Sequence, residues 1–156
     1  IGFGGIAAEV ARLAGGIGMR VLAWNRTAKV HDGVAFVALE RLLADSHVVS
    51  LHLLLNDATR GFLSAERIAA MRPGAILINT ARGALVDEAA LIAALGTGHL
   101  RHAGMDVYAV EPLPADHPFV SMDNVTLSAH AAFVTPEASD NLIAAALAHC
   151  RRLAAM

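Results

Sequence analysis

Apolar runs of strand length alternate with segments of helical period along this chain. Val21-Leu22-Ala23-Trp24 is a short run, His47 to Leu55 a longer one, and Ala75-Ile76-Leu77-Ile78 a third. Val125-Thr126-Leu127 is a weaker fourth, and His102 to Val107 reads as a further strand in which Gly104 permits close backbone approach. Runs this continuously apolar predict a sheet buried on both faces, hence parallel strands joined by crossover helices. The helices fill the gaps. Ile6, Val10, Leu13 and Ile17 recur at spacings of four, three and four. A helix is predicted from Leu39 to Ala44. Ser64 caps another that runs to Met71, where Pro73-Gly74 ends it. Asp87 caps a helix from Glu88 to Leu95, with Gly96 and Gly98 at its end. Thr135 caps the last and longest, with Pro136 at its first position. Glu111 to Pro118 holds three of the five prolines and reads as a loop. The alternation predicts a doubly wound, Rossmann-type α/β sheet.

Composition narrows the class. The chain has 156 residues, about one domain by length. Twelve basic against 14 acidic residues leave a net charge of −2, so no positive field exists to hold nucleic acid. Hydrophobic residues are 56% of the chain, which excludes a disordered one, and aromatics only 4%, so the core must be aliphatic. The single cysteine, Cys150, excludes an intramolecular disulfide and a cysteine-cluster metal site. That usage fits a cytoplasmic location. No metal site is expected. The longest apolar stretch, nine residues from His47, is far short of the ~20 that cross a bilayer, so no membrane partner is expected.

Gly2-Phe3-Gly4-Gly5-Ile6-Ala7 matches G-x-G-x-x-G/A. The first glycine makes a tight turn, the second admits a pyrophosphate to the backbone, and the third slot needs a small residue where helix meets strand. Gly2, Gly4, Gly5 and Ile6 are therefore candidate dinucleotide-binding positions, with the helix N-terminus favouring the anion. About 20 positions on, where the adenosine ribose is read, stand Asn25-Arg26-Thr27. An acidic residue there would accept from both ribose hydroxyls. Asn25 is neutral and Arg26 can pair with a phosphate, so the reading leans to NADP over NAD. Arg26 could instead stack on adenine or face solvent.

Three polar positions follow strand-like runs, where doubly wound sheets place their ligands. Arg82 lies in Asn79-Thr80-Ala81-Arg82-Gly83, Glu111 in Val110-Glu111-Pro112, and His130 in Leu127-Ser128-Ala129-His130. Glu111 follows Arg82 by 29 positions, and His130 follows Glu111 by 19. In this spacing, and in the stretch from Ile78 to Pro118, the sequence resembles the D-isomer-specific 2-hydroxyacid dehydrogenases. The resemblance covers nearly the whole chain. It implies a hydride transfer between NAD(P)H and a small 2-keto acid, as in glyoxylate or hydroxypyruvate reductases, and a homodimer. It also implies catalytic roles for Arg82, Glu111 and His130. Arg82 would grip the substrate carboxylate and polarise its carbonyl. His130 would pass the proton, and Glu111 would fix the imidazole. Asp106 would bind the nicotinamide carboxamide, with Thr80 and Ala81 near the same ring. Ala129 stands where the family usually has Pro and Ala132 where it often has Gly, and the first loosens the backbone that aims His130. Glu111 argues for keto acids over formate, since formate dehydrogenases of the superfamily carry Gln there.

The other histidines, His31, His47, His52, His99, His102, His117 and His149, read as structural or exposed, His52 being the nearest to the cofactor side. Asp87 reads as a helix cap. Residues 1–132 are expected to form the dinucleotide-binding domain and 133–156 a C-terminal helix packing towards a substrate domain. Only Ile1 precedes the glycine turn, and the chain does not open on Met. The first strand is therefore expected to be largely missing, and the 156 residues alone to be neither stable nor active. The rival readings are a non-catalytic NAD(H)-sensing module and an inactive fragment of the same fold.

Overall fold

The computed structural model describes residues 1–27 and 29–154. Helix α1 (Gly5–Gly16) follows the glycine turn, then strands β1 (Val21–Ala23) and β2 (Val34–Phe36), helix α2 (Leu39–Asp45) and strand β3 (Val48–Leu51). Helix α3 (Ala65–Ala69), strand β4 (Ala75–Asn79), helix α4 (Glu88–Gly96), strand β5 (Leu100–Met105), strand β6 (Val125–Leu127) and helix α5 (Pro136–Ala154) complete the chain. Short 3₁₀ turns occupy Gly83–Leu85 and Pro118–Ser121. All strand pairs are parallel, in two groups: β1 with β2, and β3-β4-β5-β6 in that order. This is the doubly wound α/β class that the alternation predicts.

Residues Ile1 and Gly2 stand between the two groups. His52 N–H donates to Ile1 O at 2.8 Å and Gly2 N–H to Trp24 O at 2.9 Å, so this short segment ties the end of β3 to the end of β1. Below it a cavity of about 490 Å³ separates β1 from β3, roofed by Ala7, Ala11 and Ala14 of α1.

The main core gathers Leu42, Leu43, Val49, Leu51, Leu77, Leu91, Leu100, Met105 and Phe119, all within a few per cent of full burial. Strand β4 is central to its sheet, and its residues alternate between fully and partly buried. The predicted caps form. Ser64 Oγ accepts from Arg67 N–H at 3.4 Å, Asp87 Oδ1 from Ala90 N–H at 3.0 Å and Thr135 Oγ1 from Ala138 N–H at 3.0 Å.

Two features lie outside the sequence reading. Strand β2 has only three residues after Gly33, too short for its pattern to stand out, and the sequence reading passes over it. In α1 the apolar stripe marks a helix but not its buried side. Ala7 and Ala11 are buried with Phe3 and Ala23, whereas Ile6, Val10, Leu13 and Ile17 lie outward. Alanines let the helix axis approach β1 closely, which the larger side chains would prevent. Helix α5 buries none of its side chains among the described residues, and Leu142, Ile143, Leu147 and Leu153 are exposed along it.

Candidate active site

The glycine turn is built from both sides. Gly2 has φ +82°, and a Cβ there would stand 2.7 Å from His52 O, so this position admits only glycine. Gly4 and Gly5 would meet nothing within 4 Å. Their smallness answers no demand of the protein itself and leaves clearance above the backbone. Gly4 caps α1 without a side-chain bond, so the first-turn N–H groups, at Gly5, Ile6 and Ala7, point outward without acceptors among the described residues. An open backbone and outward N–H groups at a helix N-terminus fit a pyrophosphate.

The neighbouring polar groups are partly used by the turn. Asn25 Oδ1 accepts from Phe3 N–H at 3.1 Å, while its Nδ2 donates to Thr27 O and Oγ1 at 3.0 and 3.1 Å. Lys29 Nζ donates to Phe3 O at 2.6 Å. Asn25 and Lys29 thus hold both main-chain groups of Phe3, whose ring packs edge-on to Phe36 at 5.1 Å. The sequence reading did not single out Lys29. Arg26 and Thr27 are exposed beside them. The clamp also brings Asn25, Arg26 and Thr27 to the mouth of the glycine turn, beside Gly2 to Ile6.

At the end of β4, Asn79 is fully buried and shapes the turn that carries Arg82. Its Oδ1 accepts from Ala81 N–H at 3.0 Å and its Nδ2 donates to Arg82 O at 3.0 Å. Thr80 and Arg82 are exposed on this turn, and Arg82 Nη1 reaches Ala81 O at 2.5 Å. Gly83, next along, lies against the Tyr108-Ala109 peptide. A Cβ would stand 2.0 Å from Tyr108 C, so the turn and the Glu111 loop touch backbone to backbone. Asn79 and Gly83 were quoted in the sequence motif without a role; the structure supplies one for each.

Glu111 and His130 meet. His130 Nδ1 lies 2.7 Å from Glu111 Oε2, with both side chains a little over one-third exposed. Glu111 Oε1 also accepts from Tyr108 N–H at 3.0 Å. An ionised carboxylate only accepts, so Nδ1 carries the proton in this bond and Nε2 is left to face a reactant. The hydrogen bond from His130 lowers the Glu111 pKa most, followed by the Tyr108 N–H, with the Arg82 charge a smaller contributor. Glu111 and His130 are therefore in direct contact, and the Arg82 turn meets the Glu111 loop through Gly83 and the Tyr108-Ala109 peptide.

Asp106 is 3% exposed at the end of β5. Its Oδ1 accepts from Ala131 N–H at 2.9 Å and from Ser128 Oγ, and its Oδ2 from Ala132 N–H at 3.0 Å. Burial alone would raise its pKa. The bonds from Ser128, Ala132 and Ala131, with the His130 charge, outweigh burial and lower it. Tyr108, also unmarked in the sequence reading, donates its hydroxyl to Met105 O and Ser128 O at 3.0 and 2.6 Å, tying β5 to the segment after β6.

The remaining histidines are engaged elsewhere or stand apart from the dyad. His52 Nε2 lies 3.0 Å from Ser50 Oγ, and burial, the larger cause, pushes it down to about 4, so it is neutral. His117 accepts from Phe119 N–H through Nδ1 and faces Glu88 through Nε2 at 3.1 Å.

Comparisons with known proteins identify the family. The family model for the NAD binding domain of D-isomer specific 2-hydroxyacid dehydrogenases matches residues 1–132. The chain is 42% identical over 141 residues to a glyoxylate reductase of Korarchaeum cryptofilum, covering 88% of this chain and 42% of that protein. It is 40% identical over 142 residues to a hydroxypyruvate reductase of Thermotoga maritima, covering 88% and 46%. The chain therefore spans less than half the length of these relatives. Among solved structures, a D-isomer specific 2-hydroxyacid dehydrogenase of Xanthobacter autotrophicus, in complex with NADPH and MES, superposes with a TM-score of 0.81. It is 45% identical and is covered at 83% of this chain and 42% of that one. The NAD-complexed enzyme of Lactobacillus delbrueckii superposes at 0.90 with 28% identity, covering 98% and 51%. With the matched model spanning most of its length, the chain belongs to the D-isomer specific 2-hydroxyacid dehydrogenase family, through that family's NAD-binding domain.

Proposed function

We propose that the protein transfers a hydride between a nicotinamide cofactor and a small 2-keto or D-2-hydroxy acid, in the manner of glyoxylate and hydroxypyruvate reductases. The observation that carries this reading is the 2.7 Å His130–Glu111 pair beside Arg82 at the carboxyl end of the parallel sheet. The nicotinamide, when bound, supplies or accepts the hydride. The protein's own groups do the rest. Gly2, Gly4, Gly5 and Ile6 cradle the pyrophosphate. Thr80, Ala81 and Asp106 flank the nicotinamide end. Arg82 presents a fork of donors to the substrate carboxylate and draws electron density from the carbonyl. His130 delivers a proton from Nε2 to the carbonyl oxygen as charge develops there, and takes it back in the oxidative direction. Glu111 holds Nδ1–H and balances the imidazolium.

The adenosine end favours NADPH. Asn25 offers no carboxylate to repel a 2′-phosphate, and Arg26 stands exposed beside it. A homodimer is the expected assembly, supported by the outward apolar stripe of α1. Helix α5, with residues 133–156 as its segment, would pack on a substrate domain through its exposed leucines. The cytoplasm is the expected compartment, in keeping with one unpaired cysteine. Among the described residues no helix is long and apolar enough to cross a membrane.

The test is NADPH and NADH oxidation by the purified full-length protein with glyoxylate, hydroxypyruvate and pyruvate. Turnover with at least one, lost in Arg82→Lys because an ammonium cannot reproduce the fork, supports the reading. Tight cofactor binding with no turnover on any keto acid would favour the sensing module instead.

A further inference from the structure

Glu111 and His130 meet across 2.7 Å although they come from different segments, one from the loop after β5 and the other from the chain after β6. A bond this short needs both segments referred to a common support. The segment that carries His130 is held at three places. Ser128 N–H donates to Met105 O at 3.0 Å. Ser128 Oγ and the N–H groups of Ala131 and Ala132 end on Asp106. Ser128 O accepts from the Tyr108 hydroxyl at 2.6 Å. The first two fasten the segment to the end of β5, and neither includes Glu111. The third comes from a residue that also holds the carboxylate. Tyr108 N–H donates to Glu111 Oε1 at 3.0 Å, which leaves Oε2 for the imidazole. The Tyr108 hydroxyl has one proton and two carbonyls in reach. Met105 O already has Ser128 N–H, whereas Ser128 O has no other donor among the described residues, so the proton belongs to the shorter bond. Burial raises the hydroxyl pKa most, the bond to Ser128 lowers it by less, and the Asp106 and Glu111 charges raise it further, so the group stays a donor. Tyr108 also has little room to move. It is buried, and a Cβ on Gly83 would stand 2.0 Å from its carbonyl carbon.

We infer that Tyr108 is the positioning residue shared by the proton donor and its carboxylate partner: its hydroxyl sets the segment carrying His130, its N–H sets Glu111, and the ring between them fixes how far apart the two stand. This rests on the reading of His130 as the donor. A phenylalanine would fill the same space and keep the N–H on Glu111, but it would leave Ser128 O without its donor. The hydroxyl therefore separates two roles. A bond that only holds the core together changes stability, and activity follows stability. A bond that sets the pair changes the His130–Glu111 contact and kcat beyond what the stability loss accounts for, with KM preserved.

Three variants of the full-length protein make the test. Tyr108→Phe removes the hydroxyl, and Tyr108→p-aminophenylalanine returns a donor to the same place. Asn124→Ala is the control. It removes the Asn124 Nδ2 bond to Leu95 O, likewise a side-chain bond to a carbonyl, beside the opposite end of β6. The first readout is the Nδ1–H resonance of His130 in ¹⁵N-histidine-labelled protein, identified by its loss in His130→Asn, which reports the bond to Glu111 and needs no turnover. The others are kcat, KM for NADPH and for the keto acid, and Tm. In Tyr108→Phe the resonance should move, and kcat should fall about tenfold, between the loss of one hydrogen bond and the ~10²-fold cost of misplacing a reacting group by about 1 Å. Both KM values should stay within about threefold of the unaltered protein. The amine should return the resonance to its place and kcat to within about threefold. Asn124→Ala should lose Tm without either change. A Tyr108→Phe protein with an unmoved resonance, or with kcat within about twofold of the unaltered protein, would overturn the inference and leave the hydroxyl a bond of the core. A fall in kcat shared by Asn124→Ala, or not recovered by the amine, would overturn it as well. If Tyr108→Phe does not fold, exchange of the Tyr108 hydroxyl proton in the unaltered protein decides. Slow exchange supports the bond to Ser128 O, and exchange as fast as in free tyrosine removes it. If no keto acid is turned over, the catalytic reading fails while the resonance still judges whether Tyr108 sets the pair.

Discussion

Gly83→Ala tests the contact that joins the Arg82 turn to the Glu111 loop. The methyl would stand 2.0 Å from Tyr108 C, 2.1 Å from its O and 2.5 Å from Ala109 N. Ordinary Cβ contacts begin near 3.4 Å, so one of the two segments must retreat by more than an ångström. Neither can do so freely. The Gly83 side is fixed by Asn79, which is fully buried and bonded to Ala81 and Arg82. The Tyr108 side is fixed by its hydroxyl on Met105 O and Ser128 O and by its N–H on Glu111. Overpacking against such surroundings costs about 1–3 kcal/mol. Breaking one or two of the retaining bonds adds about 1 kcal/mol each. A loss of about 3 kcal/mol lowers Tm by roughly 6–12 °C in a domain of this size. Because Tyr108 N–H also holds Glu111, the same retreat should pull Glu111 from His130 and lower kcat as well as stability. The control is Gly15→Ala in α1, where a Cβ meets nothing within 4 Å and φ is not positive. It should leave Tm unchanged or raise it, since Ala is favoured over Gly in a helix by about 1 kcal/mol. Thermal unfolding followed by circular dichroism reads both variants, with keto-acid reduction read in parallel. A Gly83→Ala protein whose Tm lies within about 2 °C of the unaltered protein would show that the two segments are not rigidly opposed, and the reasoning would fail.

His130→Asn should lower kcat by about 10²–10⁴, the usual worth of a positioned proton donor, and leave NADPH affinity unchanged; near-normal turnover would dismiss it as the donor. The Glu111 pKa is lowered in the folded protein, mainly by the bond from His130, so its stabilising contribution is present above the ordinary glutamate value of about 4.3 and lost as pH falls through the folded value. Glu111→Gln should therefore flatten the fall in Tm below that pH, and an acid limb of unchanged slope would show the pair contributes nothing to folding. Asn25→Asp should shift kcat/KM from NADPH towards NADH, since a carboxylate would accept from the ribose hydroxyls and repel a 2′-phosphate. It should also lower Tm slightly, because the Nδ2 bonds to Thr27 are lost. An unaltered protein that already prefers NADH strongly would remove the basis for the shift.

The parts of the molecule that follow a period or a cap are the parts the sequence exposes. Strands β3, β4, β5 and β6 lie within or beside the apolar runs that predict them. Ser64, Asp87 and Thr135 cap as their residue types require. The orientation of α1 was not legible, because periodicity locates a stripe but not which stripe is covered. In this helix close packing favours the alanines over the larger residues. The site divides in the same way. Arg82, Glu111 and His130 carry charge or a titratable ring on loops, and such residues announce themselves. Asn79, Tyr108 and Gly83 act by filling hydrogen bonds or by lacking a side chain, and their role exists only once β4, β5 and the loops after them are brought together. Asn25 shows the limit most directly. Its position selects it for the ribose, but its amide folds back onto Phe3 and Thr27, a local choice that residue identity does not reveal.

The distinction between polar groups satisfied within the fold and those aimed outward sorts the site by task. Asp106, Asn79, Asn25 and Tyr108 have their donors and acceptors matched by the protein, so each shapes a turn. The groups left over are the first-turn N–H groups of α1, the guanidinium of Arg82 and Nε2 of His130. Arg82 makes one bond, to its neighbour's carbonyl, and forms no ion pair among the described residues. The two carboxylates nearest the site are held by His130 and by the turn that follows it, so neither neutralises the guanidinium by direct contact. An anion entering this end of the sheet therefore meets the guanidinium of Arg82, which has no ion-pair partner among the described residues, and the free Nε2 of His130. The chemistry follows from that order of construction: the buried amide and carboxylate fix the turns, the turns fix the two exposed groups, and the exposed groups remain free because their supports have taken up the competing partners.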